Sequence, residues 1–216
     1  MPERTRRILV ATTNPGKIAE LRAMLGNDVR WLGLAEFGEI AEIEEDGSTF
    51  AENARKKAAG YAKATGLWTI ADDSGLVIEA LDGAPGVKSA RFSGEKLEDA
   101  ERTLIDHRNI AKVLELLKDI PREKRAAKFV CRLCLAGPER ILIETEGTLE
   151  GLITNREIGE NGFGYDPIFF VPSLNKTVAQ LTSEEKNEIS HRGNAIRKLK
   201  PMLDTLLKKP SSKTAD

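Results

Sequence analysis

The sequence predicts an α/β protein built on an elongated, mixed β-sheet, two-lobed, with helices on its flanks and a central cleft. Three observations predict it. Apolar strand-like runs alternate with helix-period segments through the first half of the chain, as in α/β folds. Two long strand patterns, 126–136 and 141–152, then follow one another with Gly137-Pro138-Glu139 between them, which reads as an antiparallel hairpin. Strands of that length carry a sheet across two lobes and leave a cleft between them.

The elements are justified in order. Ile8, Leu9, Val10 and Ala11 form a short apolar run, a buried strand over 8–11. Asn14-Pro15-Gly16 forces a turn. Ile18, Leu21 and Leu25 then recur at helical spacing, so a helix over 16–25 opens beside Lys17. A further strand is expected over 29–32. Ser48 or Thr49 caps a helix over 50–65, with Glu52 closing a capping box. Phe50, Ala54, Ala58 and Tyr61 share its buried face; Asn53 and Lys57 fall on the edge of that stripe, while Glu52 and Lys56 form an i,i+4 ion pair nearer solvent. Strands are expected over 69–72 and 76–79, split by a turn at Gly75, and helices over 97–117 and 195–207. A short helical stretch from Thr182 and Ser183 ends at Ser190-His191-Arg192-Gly193, ahead of the last helix. Residues 1–209 read as one domain, and the polar residues 210–216 as a disordered tail.

Composition excludes several classes. With 33 Lys and Arg against 34 Asp and Glu, the chain lacks the basic field that duplex nucleic acid requires. It has no apolar stretch of the ~20 residues that span a membrane and no signal-peptide apolar region, so the cytoplasm is the expected compartment. Cys131 and Cys134 form a C-x-x-C, but the segment around them reads as a strand, which turns positions three apart to opposite faces. Core cysteines, not a zinc or redox site, are expected.

Four segments carry chemistry. In Thr12-Thr13-Asn14-Pro15-Gly16-Lys17, helix-terminal N–H groups, hydroxyls, an amide and an ammonium gather as for a phosphate. The register is that of a P-loop, but Ala11 stands at the first glycine and Ile18 at the hydroxyl position, so a P-loop NTPase is excluded. Asp72-Asp73-Ser74-Gly75 ends an apolar strand; its two carboxylates suit a divalent ion, or an Asx turn. The acidic run Glu42 to Asp46 leads into an ordered cap that would fix Glu45, or is a solvated face. Lys57 either meets an anion or snorkels. In a chain only 5% aromatic, Phe163 and Tyr165 within Asn161-Gly162-Phe163-Gly164-Tyr165-Asp166-Pro167 suggest a stacking surface for a flat ligand, or a turn returning its rings to the core. Arg192, next to His191, offers forked donors for an oxygen ligand, although Ser190-His191 is no nucleophilic triad.

Together these segments resemble the inosine/xanthosine triphosphate pyrophosphatases, which hydrolyse non-standard purine nucleoside triphosphates. The likeness spans roughly residues 8 to 205. Thr12 through Lys17 matches that family's T-x-N-x-x-K, and Asp72-Asp73-Ser74-Gly75, Phe163-Gly164-Tyr165-Asp166-Pro167 and Ser190-His191-Arg192 match its other signatures. The resemblance implies a homodimer that cleaves ITP, dITP and XTP to monophosphate and pyrophosphate with Mg2+. It implies Asp73 as general base and metal ligand, Glu45 as a second ligand, and Lys17 and Lys57 on the triphosphate. Thr12, Thr13, Asn14, Pro15, Gly16 and Ser74 join the phosphate contacts. Phe163, Gly164, Tyr165 and Asp166 frame base and sugar, and Lys186, His191 and Arg192 close over the purine. A pyrophosphatase for pyrimidine or methylated nucleotides and a non-catalytic nucleotide sensor are the competing readings; the sensor would need no metal-linked carboxylate.

Overall fold

A computed structural model describes residues 6–26, 29–38, 40–94 and 102–208. Its seven strands are β1 (Arg7–Val10), β2 (Arg30–Gly33), β3 (Trp68–Ile78), β4 (Ala126–Ala136), β5 (Ile141–Ile153), β6 (Phe169–Val171) and β7 (Lys176–Thr177). The helices are α1 (Pro15–Leu25), α2 (Phe50–Thr65), α3 (Arg102–Leu116), α4 (Ser183–Ile189) and α5 (His191–Lys208). The sheet runs β2-β1-β3-β4-β5-β6-β7. β1 is parallel to both neighbours, and every other pairing is antiparallel. The expected hairpin is present, closed by a Gly137 N–H donated to the Arg140 carbonyl.

The long strands β3, β4 and β5 run through both lobes. One face of the first lobe packs Leu21 and Leu25 of α1 and Ile196, Leu199 and Leu203 of α5 against Ile8, Val10, Ile70 and Leu133. The other face packs Ala54, Ala58 and Tyr61 of α2 against Leu9, Ala11 and Ala71. The second lobe collects Leu76, Ile78, Phe129, Ile153 and Phe169 beneath Ile110 and Val113 of α3. Cys131 and Cys134 are free and buried, one in each of the first lobe's cores, as strand alternation requires.

Three expectations need correction. β3 is one strand, where two were expected with a turn at Gly75. The partner β4 carries it straight through, with Asp73 opposite Arg132 and Gly75 opposite Val130. Gly75 serves a close approach instead: a Cβ there would lie 2.3 Å from Ser89 Oγ and 2.7 Å from the Gly86 carbonyl. α5 begins at His191, four residues before the expected start, so His191 and Arg192 form its first turn. Lys56 pairs with Asp46 rather than Glu52, whose carboxylate accepts from the Ser48 and Thr49 amides in the capping box. The short β6 and β7 were not anticipated. The expected start of α3 at 97 and the tail 210–216 lie outside the described residues. No helix among the described residues is long and apolar enough to cross a membrane.

Candidate active site

Strand alternation sends the two adjacent aspartates to opposite faces of β3. Asp72 points toward α1 and α5. There it pairs with Lys17 Nζ and with Arg192 Nε at 2.8 Å, and accepts from Ser74 Oγ at 2.7 Å and Cys131 Sγ at 3.1 Å. Burial alone would raise its pKa, but the Arg192 and Lys17 charges overcome that and hold it well below the usual carboxylate range. The two carboxylates therefore do not share one ion, the arrangement their adjacency had suggested.

Asp73 points toward α2. It is 7% exposed, its Oδ2 has no hydrogen-bond partner, and the Asn53 side chain lies beside the carboxylate. Burial pushes its pKa up to about 6, with Glu45 adding to the rise and Lys57 and Lys17 opposing it. Lys57 is buried, as its place on the stripe edge foretold, and donates to the Asp72 carbonyl at 2.8 Å while pairing with Glu45 Oε2 at 3.0 Å. Glu45 is held from both sides. Arg91 Nη2 donates to its carbonyl, and the Gly47 amide two residues on donates to Asn53 Oδ1 at 2.8 Å.

The turn before α1 is largely self-satisfied. Asn14 caps the helix, accepting from the Gly16 and Lys17 amides at 2.9 and 3.3 Å, and its own amide donates to Thr12 Oγ1. The helix-terminal N–H groups of Gly16 and Lys17, expected to face an anion, are thus taken by Asn14. That leaves the Lys17 ammonium as the cation this turn directs into the cleft.

A cavity of about 210 Å3 lies between the lobes. Lys17, Ser74, Phe163, Lys186, His191 and Arg192 are among its lining residues, with Asn14, Gly164, Tyr165 and Asp166. It is smaller than the roughly 300–1,000 Å3 of pockets that enclose a drug-sized ligand. Glu45, Lys57 and Asp73 do not line it; they adjoin it across Lys17 and the Asp72 backbone. Thr13, Pro15 and Gly16 border a separate groove beyond Phe163.

Charges alternate along the cavity wall. Arg192 joins Asp72 to Glu20, and Lys186 joins Glu20 at 2.9 Å to Asp166 at 2.6 Å. Arg192 also donates to Ser74 Oγ at 2.8 Å. Three cations, Lys17, Lys186 and Arg192, thus balance three carboxylates, Asp72, Glu20 and Asp166. Sequence reasoning missed Glu20 and Asn53 as members, and it offered Asp72 to a divalent ion where the structure pairs it with Lys17 and Arg192. The available signal for Glu20 was its place one turn after Lys17 on the same helix face. Lys186 Nζ lies 4.1 Å from the Phe163 ring centroid and Arg192 Cζ 5.7 Å, so the aromatic loop presents a ring flanked by cations. Tyr165 is different: its ring returns to the core and its hydroxyl donates to the Ser89 carbonyl at 2.8 Å. His191 stacks on Phe129 at 4.8 Å, and burial together with the Arg192 charge keeps its pKa well below the ordinary value, so it is neutral.

An open α/β fold whose cleft sets a cation-flanked aromatic ring near an orphaned, pKa-raised carboxylate has the marks of an enzyme-type functional site. Residues 8–202 match the Ham1 family, and the chain belongs to that family. A dITP/XTP pyrophosphatase of Exiguobacterium sibiricum is 49% identical over 204 residues, covering 93% of this chain and 98% of the relative. One from Bacillus subtilis is 49% identical over 199 residues, covering 91% and 96%. The Ham1 protein of Staphylococcus aureus superposes with a TM-score of 0.81 at 43% identity, covering 93% of this chain and all of that one.

Proposed function

We propose that this protein hydrolyses non-standard purine nucleoside triphosphates (ITP, dITP and XTP) to the monophosphate and pyrophosphate, clearing them from the nucleotide pool. One observation carries the reading. Lys17, near the start of the chain, and Arg192, near its end, meet on Asp72 between the cavity and the Asp73 carboxylate. A base in the cavity and a triphosphate running past Lys17 would bring the phosphate chain to Asp73 and Lys57. The family and the names of the curated relatives agree with this chemistry.

The residues suit Mg2+. Asp73 Oδ2 is buried without a partner, and Glu45 is near enough to raise the Asp73 pKa. Among the described residues no group of three or more metal-ligating side chains converges. Two carboxylates suffice for Mg2+, which is commonly completed by substrate phosphates and water. When bound there it would neutralise charge on the polyphosphate.

In the reaction, water adds to the α-phosphorus as the bond to the bridging oxygen of pyrophosphate breaks. Asp73 takes the water proton. Lys17 and Lys57 offset charge on the departing pyrophosphate. Lys186, His191 and Arg192 meet the purine edge. A donor opposite the 6-carbonyl of hypoxanthine or xanthine would oppose the adenine amine, and such mismatches support rejection on the order of 10⁴. A homodimer, a cytoplasmic location and a single catalytic unit over 1–209 belong to the same proposal and rest on the family resemblance.

The test is direct. Purified protein with Mg2+ is given ITP, XTP, ATP and GTP, and monophosphate and pyrophosphate are quantified. Release of pyrophosphate from ITP and XTP well above ATP is expected; orthophosphate as the product, or a preference for ATP, would overturn the reading.

A further inference from the structure

One face of α3 forms a wall of the cavity. Arg102, Ile105, Asp106 and Asn109 all line it, and their spacing of three, four and seven positions puts them on one helical stripe. The two shorter polar members reach in different directions. Asn109 is 2% exposed and serves the segment that follows β3: it accepts from the Ser93 amide at 2.7 Å and donates to the Ser89 and Ala90 carbonyls. Asp106, half-buried, reaches across to the aromatic loop, where its Oδ2 accepts the Gly164 N–H at 2.8 Å.

The preceding amide, that of Phe163, donates to Asp166 Oδ2 at 2.9 Å. Two successive amides of the loop are therefore each held by a carboxylate. Asp166 acts from within the loop, backed by Lys186, and Asp106 acts from α3. Gly162 and Gly164 flank the ring at φ of +82° and +62°, so the backbone on either side of Phe163 has the widest conformational choice. These two bonds remove that choice. Burial raises the Asp106 pKa, and the Gly164 amide is the first of the contacts that oppose the rise. The carboxylate and the loop amide thus support each other.

We propose that Asp106 is a positioning residue: by holding the Gly164 amide it fixes the backbone of Phe163, and with it the surface on which the purine stacks. This rests on the reading of the cavity as the base site. Stacking is made equally in ground and transition states, far from the reacting phosphorus, so its loss raises KM and spares kcat. A variant that merely unfolds part of the population would lower apparent kcat and leave KM alone.

The test compares Asp106→Ala with Asp106→Asn, which keeps a neutral acceptor for the amide. Steady-state kinetics with ITP are read beside amide hydrogen exchange over residues 161–167, with exchange over β1 as the control for folding. D106A is expected to raise KM about tenfold with kcat within about twofold, and D106N to raise it only about threefold, since neutral acceptors hold an amide less strongly than charged ones. Exchange over 161–167 is expected to quicken in D106A more than in D106N. An unchanged KM in D106A, or loop exchange equal to that of the unmodified protein, overturns the proposal. If the unmodified protein releases no pyrophosphate from ITP, the reading of the cavity as a nucleotide site fails instead, and the exchange comparison alone decides whether Asp106 holds the loop.

Discussion

Asp72 and Asp73 are neighbours in sequence and opposites in environment. Asp72 is met by Lys17, Arg192, Ser74 and Cys131, whereas one oxygen of Asp73 is buried with no partner at all. The first carboxylate is driven down in pKa and the second up, to about 6. An unsatisfied buried carboxylate destabilises the fold, and such groups collect at functional sites. On the proposed function the pair separates structural from chemical work within two residues, and each half of that division can be measured.

Replacing Asp73 with Asn is expected to abolish most turnover and to stabilise the protein. Loss of a general base lowers kcat by about 10²–10⁴-fold. The stability effect follows from the pKa. The folded group titrates near 6, the unfolded one near 4, so the folded state binds the extra proton between those values. Ionised Asp73 therefore opposes folding most fully above pH 6, by up to about 3 kcal/mol, and not at all below about pH 4. Urea unfolding of D73N should show a gain of about 1–3 kcal/mol at pH 7.5 that shrinks toward pH 4. A variant less stable than the parent at pH 7.5 would refute the assignment.

Asp72→Asn should do the reverse. Arg192 is 1% exposed, and the substitution strips one of its two carboxylate partners and the carboxylate that pairs with the Lys17 ammonium. Breaking a buried pair costs about 3–5 kcal/mol. Because the folded pKa of Asp72 is depressed, its contribution is present above the unfolded value near 4 and fades as pH falls further. Denaturant midpoints at pH 7 should drop accordingly; a loss below about 1 kcal/mol would show that Asp72 is not the anchor of this cluster.

How far the sequence foretold this site depends on which forces set each part. α2 was legible to the residue, because its capping box and apolar stripe are local signals. The same stripe placed Lys57 inward correctly. β3 was misread as two strands because Asp-Asp-Ser-Gly is turn chemistry by composition, and only pairing with β4, some 60 positions away in sequence, overrides it. The roles of Asp72 and Glu20 were illegible for a related reason. They are defined by Arg192 and Lys186, which come from the far end of the chain. Asn53 was placed at the stripe edge, but its place beside Asp73 required knowing that α2 covers that face of the sheet.

Chelation tests the carboxylate pair. Two carboxylates with an orphaned oxygen make a weak site alone, so metal should bind tightly only with the nucleotide. EDTA is expected to stop pyrophosphate release from ITP, and added Mg2+ to restore it. Glu45→Gln should raise the Mg2+ concentration for half-maximal rate by about tenfold or more. An unchanged Mg2+ requirement in E45Q would remove Glu45 from the metal.

Gly16 and Phe163 bring the turn that carries Lys17 against the aromatic loop. A Cβ on residue 16 would lie 2.5 and 2.6 Å from the Phe163 Cδ1 and Cε1 atoms, so the ring rests directly on the turn that carries Lys17. Gly16→Ala must therefore displace the ring, although alanine suits the first turn of a helix well. The KM for ITP should rise about tenfold, with the global stability changed by less than about 1 kcal/mol. Phe163→Ala removes the obstacle, and in that background G16A should have little further effect on KM. The two substitutions would then be strongly non-additive, as contacting residues are. Full additivity in the double-mutant cycle would mean that the ring and the turn act independently, and that the contact between them carries nothing from the base to the phosphates.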